Sequence, residues 1–387
     1  MNNRRYALIG LIFLVVITSA TTAISLGALE IFPELRLSLY SKEDLEFFEK
    51  FVAYKKLLTE SYYEEIDSKN LYDGAMYGMA YAVGDKYTTY LGESENQLLT
   101  EDIESHYEGL GIYVTVDLSD NTILIFDLVE GGPAEKAGLK PGDKIIKVNG
   151  IEYSGDKLEE AVSVIKNGAI GEKINLTILR DGQNLEKEIL REEVTIKTLN
   201  YENKDGIGYI EIVKFGENTA KLFDEAYEDL TKQGINGLII DLRDNGGGIY
   251  DEVLKIARKI VPKGLIVYTE DKDKKQQKEF SESDGINMDL VVLVNGNSAS
   301  ASEVLAGAIK DRECGILVGE TTYGKGLVQG VFEMNDGTAM KVTIAKYYTP
   351  SGVCIEGTGI EPNIYIKDNP NTTKDEQLEK ALEILTK

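Results

Sequence analysis

From Ile207 onward, short apolar runs alternate with amphipathic ones, and that alternation restricts the fold more than any other feature. Residues 207–213 read as a strand, 219–233 as an amphipathic helix and 237–243 as a buried strand. A helix over 250–261 follows, then strands at 265–269 and 290–294, a helix over 299–310 and a strand at 315–318. Strands joined by helices in this order predict an α/β domain with a mostly parallel sheet covered on both faces. Residues 338–348 alternate and predict a hairpin or one long strand. In sheets of this kind, sites form at the carboxyl ends of strands, in loops that lead into helices.

Two such loops stand out. Leu242-Arg243-Asp244-Asn245-Gly246-Gly247-Gly248 leaves the apolar strand at 238–241. Its glycines let the backbone turn tightly and bring N–H groups against a ligand, although a flexible turn would use them equally well. The second loop, Asn295-Gly296-Asn297-Ser298-Ala299-Ser300-Ala301-Ser302-Glu303, opens a helix. Small residues crowd this junction, as a strand-to-helix nucleophile elbow requires. A serine there sees unpaired N–H groups and the positive end of the helix dipole, which stabilise an oxyanion. Any single serine of the run, Ser298 included, is equally explained as a helix cap.

A nucleophilic serine needs a base, and the chain holds one histidine, His106. Zinc chemistry on histidine clusters is thereby disfavoured, as is any Ser-His-Asp triad that does not run through His106. The remaining candidate is a lysine made partly neutral by burial. Lys325, between Gly324 and Gly326 at the end of the 316–318 strand, fits that need. A lysine in a turn is ordinarily solvated; the company Lys325 keeps singles it out.

The 42 basic and 66 acidic residues leave a formal net charge of −24, with no basic stripe to offset it. Such a surface repels phosphate backbones, so nucleic acid is not an expected partner. Cys314 and Cys354 match no metal-ligand spacing, and no cofactor motif is present. They read as buried free thiols, with pairing left open.

Residues 6–29 carry no charge until Glu30 and follow Arg4 and Arg5. That length spans a bilayer, and the arginines should stay on the cytoplasmic side. Residues 1–30 therefore read as a membrane anchor, with the remainder extracytoplasmic. A cleaved signal peptide, cut near the small residues at 20–23, is the competing reading and would leave a secreted protein. Residues 42–107 read as the helical N-terminal part of the core, 108–193 as an inserted β-rich domain and 194–367 as the α/β core. The 368–387 tail is polar, then helical, with Leu378, Leu382 and Leu385 on one face suited to docking on a second copy.

Several separated segments occur in one order: Gly84-Asp85-Lys86-Tyr87-Thr88-Thr89-Tyr90-Leu91, the Asp241–Gly248 loop, Ser298-Ala299-Ser300-Ala301-Ser302-Glu303, and Gly324-Lys325-Gly326-Leu327-Val328-Gln329. Tyr347-Tyr348-Thr349-Pro350-Ser351-Gly352 and Gly357-Thr358-Gly359-Ile360-Glu361-Pro362 follow. The set resembles the carboxyl-terminal processing peptidases, serine proteases of bacterial envelopes and chloroplast lumens with a crotonase-like core. The resemblance implies Ser300 as nucleophile, Lys325 as its base and Gln329 as the residue that orients the lysine. It implies an oxyanion hole from the N–H groups of Gly247 and Ala301.

Glu108-Gly109-Leu110-Gly111-Ile112 resembles the carboxylate-binding loop of a PDZ domain, and Gly132-Pro133-Ala134, Ala137-Gly138-Leu139 and Val148-Asn149-Gly150 continue that signature. Gly109, Leu110, Gly111 and Ile112 would then bind an apolar C-terminal tail that adds a strand to the domain. The expected function is a cell-envelope endopeptidase that cuts proteins near their C-termini, working as a homodimer and admitting an activating adaptor. A non-catalytic PDZ adaptor is the alternative, but it would have no use for Ser300, Lys325 and Gln329 together. A crotonase-like enzyme acting on acyl thioesters fits poorly with an export signal and a PDZ insertion.

Overall fold

The structure, a computed structural model, describes residues 41–367, 372 and 374–386. The 1–30 segment read as an anchor lies outside them. Among the described residues no helix is long and apolar enough to cross a membrane. The chain divides into two compact units, one ending at Ala82 and the other beginning at Val83.

The described part of the first unit is two helices, Lys42–Ser61 and Ser68–Ala82. Ser41 caps the first by accepting from the Asp44 N–H at 3.1 Å, and Asp44 accepts in return from the Ser41 N–H at 3.0 Å. Two orphan N–H groups are satisfied at once. Of the apolar residues that recur at helical spacing along them, Phe48, Val52, Leu57, Leu58, Met76 and Met79 are exposed, Leu45 and Leu71 are half-buried, and Ala80 is buried.

Within the second unit, the inserted domain wraps antiparallel strands Ile112–Asp117, Thr122–Leu128, Lys144–Val148, Lys173–Arg180 and Gln183–Leu190 around the helix Leu158–Lys166. Inward residues Ile123, Ile125, Ile145, Ile174, Leu176 and Ile178 are buried against Ala161 and Ile165 of that helix. Period-two alternation on the strands meets one apolar helix face, which is why this segment folds around its own core. Asp143, in the turn before the third strand, pairs through both carboxylate oxygens with Arg180 at 2.6 and 2.7 Å.

The α/β core carries a six-stranded sheet in the order Leu199–Lys204, Ile207–Ile212, Gly237–Asp241, Asp289–Val294, Ile316–Gly319, Ile364–Tyr365. All pairs are parallel except the first. Leu238, Ile240, Leu290, Val292 and Val294 point to the face covered by helices Thr219–Lys232, Tyr250–Ile260 and Ala301–Asp311. Ile239, Val291 and Leu293 point to the other face, against the tail helix Glu376–Leu385. That helix spends Leu378, Leu382 and Leu385 on its own sheet, so the face expected to dock on a second copy is used within the chain.

One strand is placed differently from expectation. Residues 265–269 do not join the parallel sheet; Gly264–Asp271 belongs to a second, antiparallel sheet with Gln276–Ser281 and Ala339–Tyr348. Ala339–Tyr348 also pairs with Leu327–Glu333 and with Thr89–Leu91. A short apolar run fits either kind of sheet, and the polar run Gln276–Ser281 that pairs with it carries little strand signal.

Candidate active site

The serine loop joins strand Asp289–Val294 to helix Ala301–Asp311. Two of its three serines are occupied. Ser298 Oγ donates to the Leu242 carbonyl at 2.7 Å, and Ser302 Oγ donates to the Asn245 carbonyl at 2.9 Å, both buried. Ser300 is different: its hydroxyl makes no capping bond, although it sits at the helix N-cap. Its backbone stands at φ 56°, ψ −114°, a strained conformation for a residue with a Cβ. A sharp turn of this kind lifts the side chain off the helix end, which removes the cap explanation for Ser300.

The serine and glycine loops are zipped together. Asp244 Oδ1 accepts from Asn295 Nδ2 at 3.0 Å and Asn297 Nδ2 at 2.8 Å, while Asn295 Oδ1 accepts from the Asp244 N–H at 3.0 Å. The Ala299 N–H donates to the Asn245 carbonyl. A Cβ built on Gly247 would stand 2.8 Å from Ser300 Cβ and 3.1 Å from the Ala301 N, at φ +108°. Gly247 and Ala301, the expected oxyanion donors, therefore flank Ser300. The Gly247 N–H, however, donates to Asn245 Oδ1 at 2.8 Å. It is spent inside its own loop.

The lysine loop lies against the same junction. Gly324 stands at φ +85°, where a Cβ would come within 2.8 Å of the Gly359 N and 3.0 Å of the Thr358 N. Only glycine permits that approach. Glu303, fully buried, holds this loop to the serine. Its Oε2 accepts from the N–H of Ser300 and the N–H of Lys325, each at 2.9 Å. Its Oε1 accepts from Thr322 Oγ1 at 2.6 Å and the Gly324 N–H at 2.7 Å. Four donors satisfy the buried charge.

The Lys325 ammonium is half-buried over the Tyr87 ring, 5.0 Å from its centroid, and no carboxylate pairs with it among the described residues. Burial pushes its pKa down, Lys341 and Lys86 push the same way, and the Glu303 and Glu356 charges oppose them. The net direction favours the neutral amine a base requires. Gln329 does not bond the amine; its Nε2 donates to Thr343 Oγ1 at 3.3 Å, and Thr343 in turn donates to Asp85. Asp85 also accepts from the N–H groups of Tyr87 and Thr88 at 3.1 Å.

Two contacts of this site escape a reading of the sequence, and a third residue carried a signal. Glu303 was visible as the fourth residue of an S-x-x-E capping pattern opening at Ser300. The contacts of Tyr87 with Lys325 and of Asp85 with Thr343 had no such signal, because they join segments distant in the chain.

The comparisons agree with this architecture. Residues 206–366 match the model of peptidase family S41, residues 109–190 that of the PDZ domain, and residues 34–95 that of the activating protease CtpB N-terminal domain. The carboxy-terminal processing protease CtpA of Bacillus subtilis is 38% identical over 316 residues, 81% of this chain and 67% of that protein. The chain belongs to peptidase family S41. The "Probable CtpA-like serine protease" of Staphylococcus aureus is 33% identical to this peptidase over 357 residues, 91% of it and 71% of the relative. Among solved structures, the photosystem II D1 C-terminal processing protease superposes with a TM-score of 0.52 at 28% identity, covering 90% of this peptidase and 98% of that chain. The peptidase is a serine-type C-terminal processing protease of α/β fold with an inserted PDZ domain.

In the PDZ domain, Gly109, Leu110, Gly111 and Ile112 line a cavity of about 270 Å³ with Val162 and Ile165 of the helix Leu158–Lys166. A Cβ on Gly109 would stand 2.8 Å from the Tyr107 ring, so a larger residue there would have to push that ring aside. Burial pushes the Tyr107 phenol up to about 12.

Proposed function

We propose that Ser300 is the nucleophile and Lys325 its general base in an endopeptidase that cuts protein substrates near their C-termini. Neutral Lys325 takes the Ser300 hydroxyl proton as Oγ attacks the scissile carbonyl. The resulting ammonium gives that proton to the leaving amine, and water repeats the sequence on the acyl-enzyme. The single observation that carries this reading is the Glu303 carboxylate shared between the backbone N–H groups of Ser300 and Lys325. It holds a serine with an uncommitted hydroxyl and a lysine with a lowered pKa to one buried point.

Gln329 orients the amine in this reading. Its Oε1 has no partner among the described residues and is the acceptor available to Lys325 Nζ. The Ala301 N–H supplies one oxyanion donor. The Gly247 N–H supplies the other once Asn245 releases it, so the described conformation is one donor short of a complete hole. The PDZ loop Gly109–Ile112 recruits substrate tails, and ligand-driven gating of the site fits that incomplete hole. The anchor at residues 1–30 would hold the catalytic part outside the cytoplasmic membrane. The exposed apolar face of helices Lys42–Ser61 and Ser68–Ala82 supports pairing with a second copy.

The test is cleavage of casein by the soluble fragment and by its Ser300→Ala and Lys325→Ala variants. Loss of cleavage in both, with unchanged circular dichroism, is expected. Undiminished cleavage by the Lys325 variant would refute the base.

A further inference from the structure

The wall of the PDZ cavity is not made by the PDZ domain alone. The core helix Glu93–Glu104 contributes Leu98, Glu101 and Asp102 to it, opposite Leu110, Ile112, Val162 and Ile165. At its edge stands one cation, Lys166, the last residue of the PDZ helix. Its ammonium is ion-paired with Glu101 and lies 5.6 Å from the centroid of the Tyr107 ring. The pair is partly withdrawn from water, with side chains 27% and 19% exposed. Asp102, the neighbouring carboxylate, is committed elsewhere, to Lys214 at 2.8 Å. Apart from Glu101, Asp102 and the tyrosine phenols the lining is apolar, so Lys166 is the group at its end able to pair with a carboxylate. A carboxylate of the same chain already holds that cation.

We infer that Lys166 is the counter-ion for the α-carboxylate of a substrate tail, and that Glu101 is the internal carboxylate the tail must displace. The inference rests on the PDZ recruitment proposed above and adds its chemistry. Binding is an exchange of one carboxylate for another on Lys166, with the terminal side chain entering the space between Leu110, Ile112, Val162 and Ile165. Glu101 weakens every free-carboxylate tail by the same amount, so only those with a well-fitting apolar end displace it. Glu101 leaves on a helix whose next residues, Asp102 and Ile103, line a second cavity with Lys214, Phe215, Gly246, Gly247 and Gly248. The displaced residue is thus followed directly in its helix by residues that share a cavity with the loop that withholds the Gly247 N–H.

The experiment uses the soluble chain carrying Ser300→Ala, so that binding is read without cleavage. A fluorescein-labelled octapeptide ending in leucine is titrated as the free acid and as the C-terminal amide, by fluorescence anisotropy. Glu101→Gln should tighten the free acid roughly tenfold, the equivalent of about 1.4 kcal/mol, and leave the amide unchanged. Lys166→Met should weaken the free acid until it binds no better than the amide, and Lys166→Arg should restore the difference. Free-acid binding unchanged in Lys166→Met, or weakened by Glu101→Gln, would overturn the inference. So would failure of the free acid to bind Glu101→Gln at all. Casein cleavage by the Ser300 enzyme reports separately on the catalytic reading, so the two can fail independently.

Discussion

One carboxylate oxygen of Glu303 accepts hydrogen bonds from the backbone N–H of Ser300 and the backbone N–H of Lys325, each at 2.9 Å. A buried carboxylate can do this because it is acceptor-only and its charge is met by four donors in all. Glutamine at this position keeps the shape but turns one acceptor into a donor, which would face two N–H or O–H groups. Glu303→Gln should therefore lower casein cleavage by about 100-fold and cost about 3 kcal/mol of stability, the penalty for unsatisfied buried donors. Steady-state rates and thermal unfolding of the same preparation measure both. Wild-type cleavage in this variant would mean the shared contact does not place the two residues.

The direction of the Lys325 shift fixes a pH dependence. Burial lowers its pKa first, and Lys341 adds to that effect through charge repulsion. A base acts only when deprotonated, so cleavage should rise with pH as Lys325 loses its proton, then level off. Lys341→Met removes a cation that disfavours the ammonium, so the rising limb should move to higher pH while the plateau is kept. A pH–rate profile of kcat/KM on a fluorogenic peptide reads the displacement. A limb that stays in place or moves to lower pH would remove Lys341 as a tuning charge.

Gly247 is constrained on both sides. It stands at φ +108°, and an added Cβ would lie 2.8 Å from Ser300 Cβ and 2.9 Å from the Ala299 carbonyl oxygen. Gly247→Ala should abolish cleavage, because the methyl group pushes on the serine itself, and should destabilise the core by about 1–3 kcal/mol through strain. Gly246→Ala makes the control, since a Cβ there meets nothing within 4 Å. It should fold normally and keep most of its activity, and equal loss in both variants would point to general loop damage.

How much of this was legible in the chain depends on where each partner comes from. The alternation after Ile207 gave the parallel core, because buried strands and amphipathic helices write their periods locally. Ser300 and Lys325 stood out through glycines and small residues whose close approaches are real, as at Gly247 and Gly324. The antiparallel placement of Gly264–Asp271 was not legible, since its partners Gln276–Ser281 and Ala339–Tyr348 are defined by pairing and not by composition. The Gln329 contact was expected on the lysine and falls on Thr343, its cross-strand neighbour, a register that depends on a bulge between Val328 and Gln329. Commitment of the Gly247 N–H to Asn245 belongs to the conformation, and a sequence does not choose between conformations of one loop.

The tail helix reaches the glycine loop through charge. Arg243, at the start of that loop, donates to both oxygens of Asp241 and to both oxygens of Asp375, with Asp375 at 2.8 Å on each arm. Asp375 also caps the tail helix, accepting from the Leu378 N–H at 2.9 Å. Burial would raise its pKa, but the Arg243 pair and the helix N–H outweigh burial and hold it below the ordinary 3.8. A carboxyl depressed in the folded state stabilises the fold above its ordinary value, and that contribution disappears as pH falls through the depressed value. Asp375→Asn should therefore cost about 1 kcal/mol at pH 7, discounted because the side chain is 37% exposed. The gap in melting temperature between wild type and variant should narrow once pH drops below 3.8. Because the same arginine anchors the glycine loop, the variant should also lose several-fold in kcat with little change in KM. A gap that is constant across pH would mean Asp375 serves through shape alone, and an unchanged kcat would separate the tail helix from the site.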